Sequence, residues 1–467
     1  MQPLTLREKF VGNRAFYKMV LAIAVPIMIQ QGITNFVNLL DNLMVGQLGT
    51  EEMSGVAIVN QLIMVFNLCV YGVVSGAGLF TAQYYGKGDQ EGVRHTLRFK
   101  LIAVTIVTVL GTLLFLFKGR DLITLYLGGG NDGGDIALTL QSGWIYLLFM
   151  IPGFFAFMIE QAYAGTLREC GETLLPMKAG LVAVVINVLF NYLLIYGKMG
   201  FPELGVQGAA IATSMARFVE AGIVVIWAHR HSQKFGFIKN LYRSGRIPGY
   251  LIKDIVKTGT PLMLNETMWS AGMAVLTQCY SLLGLNVIAG FNITSTLFNL
   301  FNVVAISLGT AIAIIVGQRL GANQLEEARD IDNKLIAFSV FCGLIVGVIM
   351  AVSALFFPDF YNTTEEAKEI ATGLMLLQAV FYPQVTFINA AYFTMRCGGK
   401  TMVTFLFDSV FVWIVSVPIA FMLSRFTDWN IYGIFITINI ADWIKCIIAF
   451  VLLKKGIWIH NIVNKDE

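Results

Sequence analysis

The chain has 467 residues, of which 57% are hydrophobic and only 13% charged, with a mean hydropathy of +0.71 and a formal net charge of +3. A soluble domain carries roughly 25% charged residues. A soluble protein of this length is therefore excluded for want of polar surface, and so small a net charge argues against nucleic acid as a partner.

A bilayer-spanning helix needs about 20 predominantly apolar residues. Twelve stretches meet that requirement, at 18–43, 53–82, 99–117, 139–164, 174–196, 206–228, 252–283, 287–316, 335–357, 369–394, 401–424 and 430–453. Barrel strands would be about 10 residues long and would alternate apolar with polar; these runs are longer and apolar on most faces. The polar opening residues, with Arg7, Glu8 and Lys9, do not read as a secretory leader. Six cysteines, Cys69, Cys170, Cys279, Cys342, Cys397 and Cys446, form no C-x-x-C pair and are expected to be reduced packing residues. The four histidines, in or beside charged loops, show no metal-ligand spacing.

The loops between the stretches alternate in charge. Twenty-five Lys and Arg residues fall on the side of the amino terminus and five on the other, namely Lys118, Arg120, Lys198, Lys368 and Arg425; Arg217 and Lys445 lie inside helices. The excess places both termini and the basic loop after the sixth helix in the cytoplasm. One miscounted span would scramble this alternation, so it also supports the count of twelve.

The chain repeats itself. At an offset of 235, Pro26 pairs with Pro261, Leu48-Gly49 with Leu283-Gly284, and Gln83, Gly86, Glu91 and Arg94 with Gln318, Gly321, Glu326 and Arg329. Arg168, Gly171 and Thr173 pair with Arg396, Gly399 and Thr401 at 228, and Gly208 with Gly433 at 225. The expected architecture is all-α, with lobes at 1–230 and 251–467 joined by a cytoplasmic linker at 231–250. Six helices in each half make these parallel repeats, as in carriers that rock two bundles about a central cavity.

The motifs resemble those of the multidrug and toxic compound extrusion (MATE) transporters of the larger flippase superfamily. The resemblance rests on Pro26, on Asp41-x-x-Met44-Val45-Gly46-x-Leu48-Gly49, on Gln83-x-x-Gly86, on Arg168-x-x-Gly171-x-Thr173 and on Gly205-Val206-x-Gly208-Ala209-Ala210-x-Ala212-Thr213, and it covers essentially the whole chain. It implies export of drugs and organic cations against entry of Na⁺ or H⁺, with the matching aspartate, Asp41, in the coupling role.

Ionisable residues inside a membrane cost roughly 2.5–3.5 kcal/mol on insertion scales and are functional candidates by default. Asp41 has no basic residue within a turn, and withdrawing a carboxylate from water favours its protonated form, so it is the candidate proton or cation site. Asn187 and Asn191 share a helix face; with Asp41 and Thr213 they would form an oxygen-rich pocket. Some relatives carry an aspartate where Asn191 stands, which leaves this pocket one carboxylate and the coupling ion open. Glu266 and Asp408, with Met268 and Trp269, are the candidate substrate or second ion site. Aromatic faces attract organic cations, which also brings in Trp144, Tyr163 and Met273. Asp408 has no basic neighbour in sequence except Lys400, two turns back. Glu160, two turns before Arg168, reads as structural. Arg217/Glu220 and Asp442/Lys445 are i,i+3 pairs expected to neutralise themselves. Pro26 and Pro261 interrupt matched helices and are expected to kink them, with helix one bending on protonation of Asp41.

These readings predict a monomeric, multi-pass antiporter of the cytoplasmic membrane, surrounded by lipid, exporting organic cations or drugs with H⁺ or Na⁺ as coupling ion and no other cofactor. A flippase for lipid-linked sugars or other amphiphiles is the alternative. Catalysis is not expected: no triad, metal set or G-x-x-x-x-G-K-[ST] phosphate loop occurs.

Overall fold

The computed structural model describes residues 9–127 and 135–464. Twelve long helices follow one another: α1 Arg14–Gly46, α2 Thr50–Lys87, α3 Gln90–Leu127, α4 Ile136–Glu169, α5 Leu174–Ile195, α6 Val206–Arg230, α7 Gly249–Ser281, α8 Leu285–Gly321, α9 Leu325–Ser353, α10 Glu365–Cys397, α11 Thr401–Phe426 and α12 Ile431–Lys455. No strand occurs among the described residues. Eleven of the helices are long and apolar enough to cross a membrane by composition alone; α7 is the exception. Lys253, Asp254, Lys257 and Glu266 dilute its apolar run, yet it is the repeat mate of α1 and of the same length.

The apolar runs end about a turn short of several helices. α2 continues to Lys87, α4 to Glu169 and α8 to Gly321, because backbone hydrogen bonding persists after the side chains turn polar. Side-chain caps start the helices that follow some loops. Asp135 accepts from Leu138 N–H at 3.0 Å, Thr364 from Ala367 at 3.2 Å and Asn430 from Gly433 at 3.0 Å, each satisfying an amide with no partner in the first turn.

The repeat is visible in the turns. After α4, Gly171 N–H bonds Arg168 O and Glu172 N–H bonds Leu167 O; after α10, Gly399 bonds Arg396 and Lys400 bonds Met395 in the same pattern. Gly171 (φ 85°) and Gly399 (φ 76°) both occupy the left-handed region this helix ending requires. Pro26 and Pro261 both lie inside continuous helices.

The chain divides into two compact units. One comprises Met1–Met28, Ala82–Gly88 and Val256–Glu467, the other Ile29–Thr81 and Asp89–Ile255. α1 and α2 therefore each contribute one end to the first unit and the remainder to the second. Within the second, α4 packs on α3 and α6, and α5 on α6; within the first, α10 packs on α8, α9 and α12. Leu308, Ile312, Ile315, Leu335 and Met395 are buried in the core of the first unit. The exterior is apolar as well. Phe117, Val348 and Ile447 are 79%, 67% and 63% exposed, an arrangement that suits lipid and not water. All six cysteines are free.

At Gly208, α6 comes close to the end of α5. A Cβ there would stand 2.6 Å from the carbonyl of Leu194. Gly208→Ala must push the helices apart, and overpacking of this kind costs about 1–3 kcal/mol. A fall in the melting temperature of the detergent-solubilised protein is the expected result.

Candidate functional site

The candidate polar side chains named from the sequence lie mainly in two clusters, one in each unit. In the second unit, the carboxylate of Asp41 on α1 accepts from Asn191 Nδ2 at 2.6 Å. The same amide nitrogen reaches Asn187 Oδ1 at 3.3 Å, and Asn187 Nδ2 donates to Thr213 Oγ1 on α6 at 3.1 Å. The i,i+4 spacing on α5 thus makes one chain of contacts from carboxylate to hydroxyl. Asn187 and Asn191 are 3% and 0% exposed. Asn191 Oδ1 is buried with no hydrogen-bond partner. A buried acceptor left unmatched is costly, and this one sits beside a carboxylate. Turning the amide over would present its oxygen to the same space, the arrangement a bound cation favours.

Asp41, Asn187 and Thr213 line a cavity of about 70 Å³ together with Gln30, Asn38, Arg217 and Glu220. That volume holds an ion with a few waters, since a water needs roughly 10–15 Å³ by this measure. It is far below the roughly 300–1,000 Å³ of a drug-sized pocket. Arg217 and Glu220 form the expected i,i+3 ion pair at 3.2 Å. Their place on the wall beside Asp41 was not legible from spacing, which gives the pairing but not the direction the pair faces. Gln30 is held by Arg168 at 3.2 Å. Among the described residues, no aromatic or methionine side chain lines this cavity. Tyr163, a candidate for substrate contact, is instead buried against Tyr242 with the hydroxyls 2.5 Å apart, and Trp144 lies under the Arg120 guanidinium.

In the first unit, the hub is Asn265 on α7, 2% exposed. Its Nδ2 donates to Asp408 Oδ2 at 3.0 Å and reaches the Tyr392 hydroxyl at 3.4 Å. Its Oδ1 accepts from the N–H and hydroxyl of Ser409 at 3.3 and 2.6 Å. Tyr392 in turn donates to Glu266 at 3.3 Å. Glu266 and Asp408 therefore belong to one network, through residues that sequence reasoning passed over. Asp408 and Ser409 sit in a stretch of α11, Leu406–Val410, wound with π-helical turns, a distortion frequent at functional sites. One expectation is corrected here. Asp408 does have a basic partner: Lys445 Nζ lies 3.7 Å from it and 3.7 Å from Asp442. Lys445 thus bridges α11 and α12 as well as pairing within its own helix, a contact across 37 residues that helical spacing cannot reveal. Of the neighbouring candidates, the Met268 carbonyl accepts from Trp413 at 2.9 Å, and Trp269 is exposed.

Glu160 is 1% exposed, with Oε2 bonded by Gln161 at 2.7 Å and Oε1 unpartnered. Elsewhere in the second unit, the fully buried Lys100 on α3 pairs with Glu169 and donates to Thr166 at 3.1 Å.

Twelve apolar helices in two repeated sets, with unlike polar clusters in their interiors, define a polytopic membrane protein of the carrier type. The chain belongs to the MatE family, whose model matches residues 26–193 and 261–422, one block in each half. It is 23% identical over 446 residues to a probable multidrug resistance protein of Bacillus subtilis, covering 93% of this chain and 92% of that one. It is 26% identical over 412 residues to the multidrug resistance protein MdtK of Pectobacterium atrosepticum, covering 86% of each. Among solved structures, a MATE protein in complex with MaL6 superposes with a TM-score of 0.84 at 20% identity, over 97% of this chain and 99% of that one. The outward-facing conformation of a multidrug resistance MATE family transporter superposes equally well, over 98% and 99%.

Proposed function

We propose that this protein is an antiporter of the cytoplasmic membrane that expels amphipathic, often cationic compounds in exchange for inward H⁺ or Na⁺, by alternating access of its lobes 1–230 and 251–467. The linker 231–250 and both termini lie in the cytoplasm, and a single chain in lipid is the working unit. The names of the relatives support the substrate class. The observation that carries the coupling is the Asp41 cavity, where a carboxylate, the buried Asn187 amide and the Thr213 hydroxyl line room for one small ion, with the buried Asn191 amide bonded to that carboxylate. Glu266 and Asp408 form the second acidic site, close to exposed Trp269. Entry of one cation through about 150 mV releases roughly 3.5 kcal/mol, at 2.3 kcal/mol per 100 mV. That sustains a gradient of about 300-fold for a neutral solute, at 1.4 kcal/mol per decade. Ion and drug are coupled only if each binds the two conformers unequally.

Purified protein in liposomes, loaded with a fluorescent organic cation, tests this when Na⁺ and H⁺ gradients are imposed separately. Efflux driven by one of the two identifies the ion, and efflux indifferent to both refutes coupling. Asn191→Ala removes the amide that holds Asp41 at 2.6 Å. A hydrogen bond to a charged group contributes about 1.5–3 kcal/mol, so driven efflux is expected to fall roughly tenfold or more. Parental efflux in that variant would remove the amide from the site.

A further inference from the structure

α12 ends at Lys455, and Gly456 turns the chain in the left-handed region, at φ 66°. Residues 457–464 then fold back onto the ends of other helices. Trp458 is 1% exposed. Its carbonyl oxygen would lie 1.8 Å from a Cβ on Gly398, so the segment seats only because that residue is glycine. Gln83, near the end of α2 and 0% exposed, holds the segment with its whole side-chain amide. Its Nε2 donates to the carbonyls of His460 at 3.2 Å and Cys397 at 3.0 Å, and its Oε1 accepts from Ile462 N–H at 2.8 Å. Asn461 donates to the carbonyls of Leu320 and Gly321 at the end of α8, at 2.9 and 3.4 Å. Its Oδ1 takes the N–H groups of Val463 and Asn464, both at 3.0 Å.

Beneath this segment α2 and α8 cross reciprocally. A Cβ on Gly86 would stand 1.9 Å from Gln318 O, and one on Gly321 would stand 1.9 Å from Gln83 O. The two Gln-x-x-Gly motifs are repeat mates, so the crossing pairs each with its own copy. Every residue named lies in the first unit, although Thr50–Thr81 of α2 belongs to the second. The segment after α6 behaves differently. Residues 236–241 stay within their own half, where Arg94 and Arg98 of α3 bind the carbonyls of Gly236, Phe237, Asn240 and Leu241. The segment after α12 reaches α2, a helix of the other half of the sequence.

We propose that residues 456–464 are a strap that locks the crossing of α2 and α8, and that it leaves Gln83 before those helix ends part. Transport then depends on strap release, a consequence that rests on the alternating-access reading, whereas the hold on Gln83 does not. Hydrogen–deuterium exchange on the full-length protein measures the hold directly. Gln83→Ala, Asn461→Ala and a chain ending at Lys455 are expected to speed exchange at 84–88 and 318–323 at least tenfold, with peptides of α9 and α12 unchanged. Asn461→Ala leaves the crossing residues themselves intact and guards against a general loss of fold. Unchanged exchange at the α2 and α8 ends in Asn461→Ala and in the truncated chain overturns the strap, whatever happens to efflux. Failure of the transport reading is registered separately, by efflux from liposomes of the unaltered protein that responds to neither a Na⁺ nor an H⁺ gradient.

Discussion

Asp41→Asn is expected to cut ion-driven efflux of a fluorescent cation by roughly 10–100-fold while leaving the folded protein intact. The substitution preserves shape and removes only charge and titration. Asn191 Nδ2, now donating at 2.6 Å to a carboxylate, would face a neutral amide. The charge-assisted contact contributes about 1.5–3 kcal/mol, and 1.4 kcal/mol is a factor of ten. The loss goes further than that bond, because an asparagine neither takes up a proton nor balances a cation in a cavity of about 70 Å³. The measurement is initial efflux from liposomes under an imposed gradient, with passive leak subtracted. Efflux at the parental rate would move the coupling site away from α1 and leave the Glu266–Asp408 network as its place.

Lys445→Met is expected to be the most destabilising single change. Lys445 is mostly buried and stands 3.7 Å from both Asp408 and Asp442. Removing it leaves two acids facing each other without a cation. Breaking a buried pair typically costs about 3–5 kcal/mol, chiefly through the charge left behind. Because Asp408 and Asp442 retain some exposure, the lower end of that range is expected. Adding Asp408→Asn and Asp442→Asn to Lys445→Met should restore most of the loss, since the three charges act as a set. Melting of the parental, single and triple proteins in one detergent checks both statements. If the triple variant melts as early as the single, the destabilisation comes from the other contacts of the lysine, whose ammonium nitrogen lies 5.0 Å from the centroid of the Phe411 ring.

What the sequence reveals and conceals here follows from how each signal arises. Spans were legible because lipid demands apolar side chains over a fixed length. α7 shows the limit of that rule: its charged first turns carry it below a strict composition threshold, although its apolar run at 252–283 is long enough to read as a span and Pro261 matches Pro26. The Asp41 pocket was legible for two reasons. Its amides stand four apart on one helix, and a lone carboxylate in an apolar run is conspicuous. Asn265, Tyr392 and Ser409 carry no such mark. Each is an ordinary residue until α7, α10 and α11 are brought together, and that requires knowing which faces meet. Arg217 and Glu220 were read correctly as a pair, but their exposure to the Asp41 cavity depends on the rotation of α6. The aromatic candidates were weakly marked for the opposite reason: in a chain with 35 Phe and 16 Tyr, a ring is too common to point to one place.

The Lys445 bridge has a consequence for biosynthesis. Taken singly, α11 carries an acid and α12 an acid and a base into hydrocarbon, where an unmatched charge is rejected. Folded against each other as a hairpin, they bring the Asp408 carboxylate to the Lys445 ammonium before either meets acyl chains. The last two spans are therefore best released from the insertion machinery together, and a ribosome stalled after α11 should hold that helix at the translocon until its neighbour emerges.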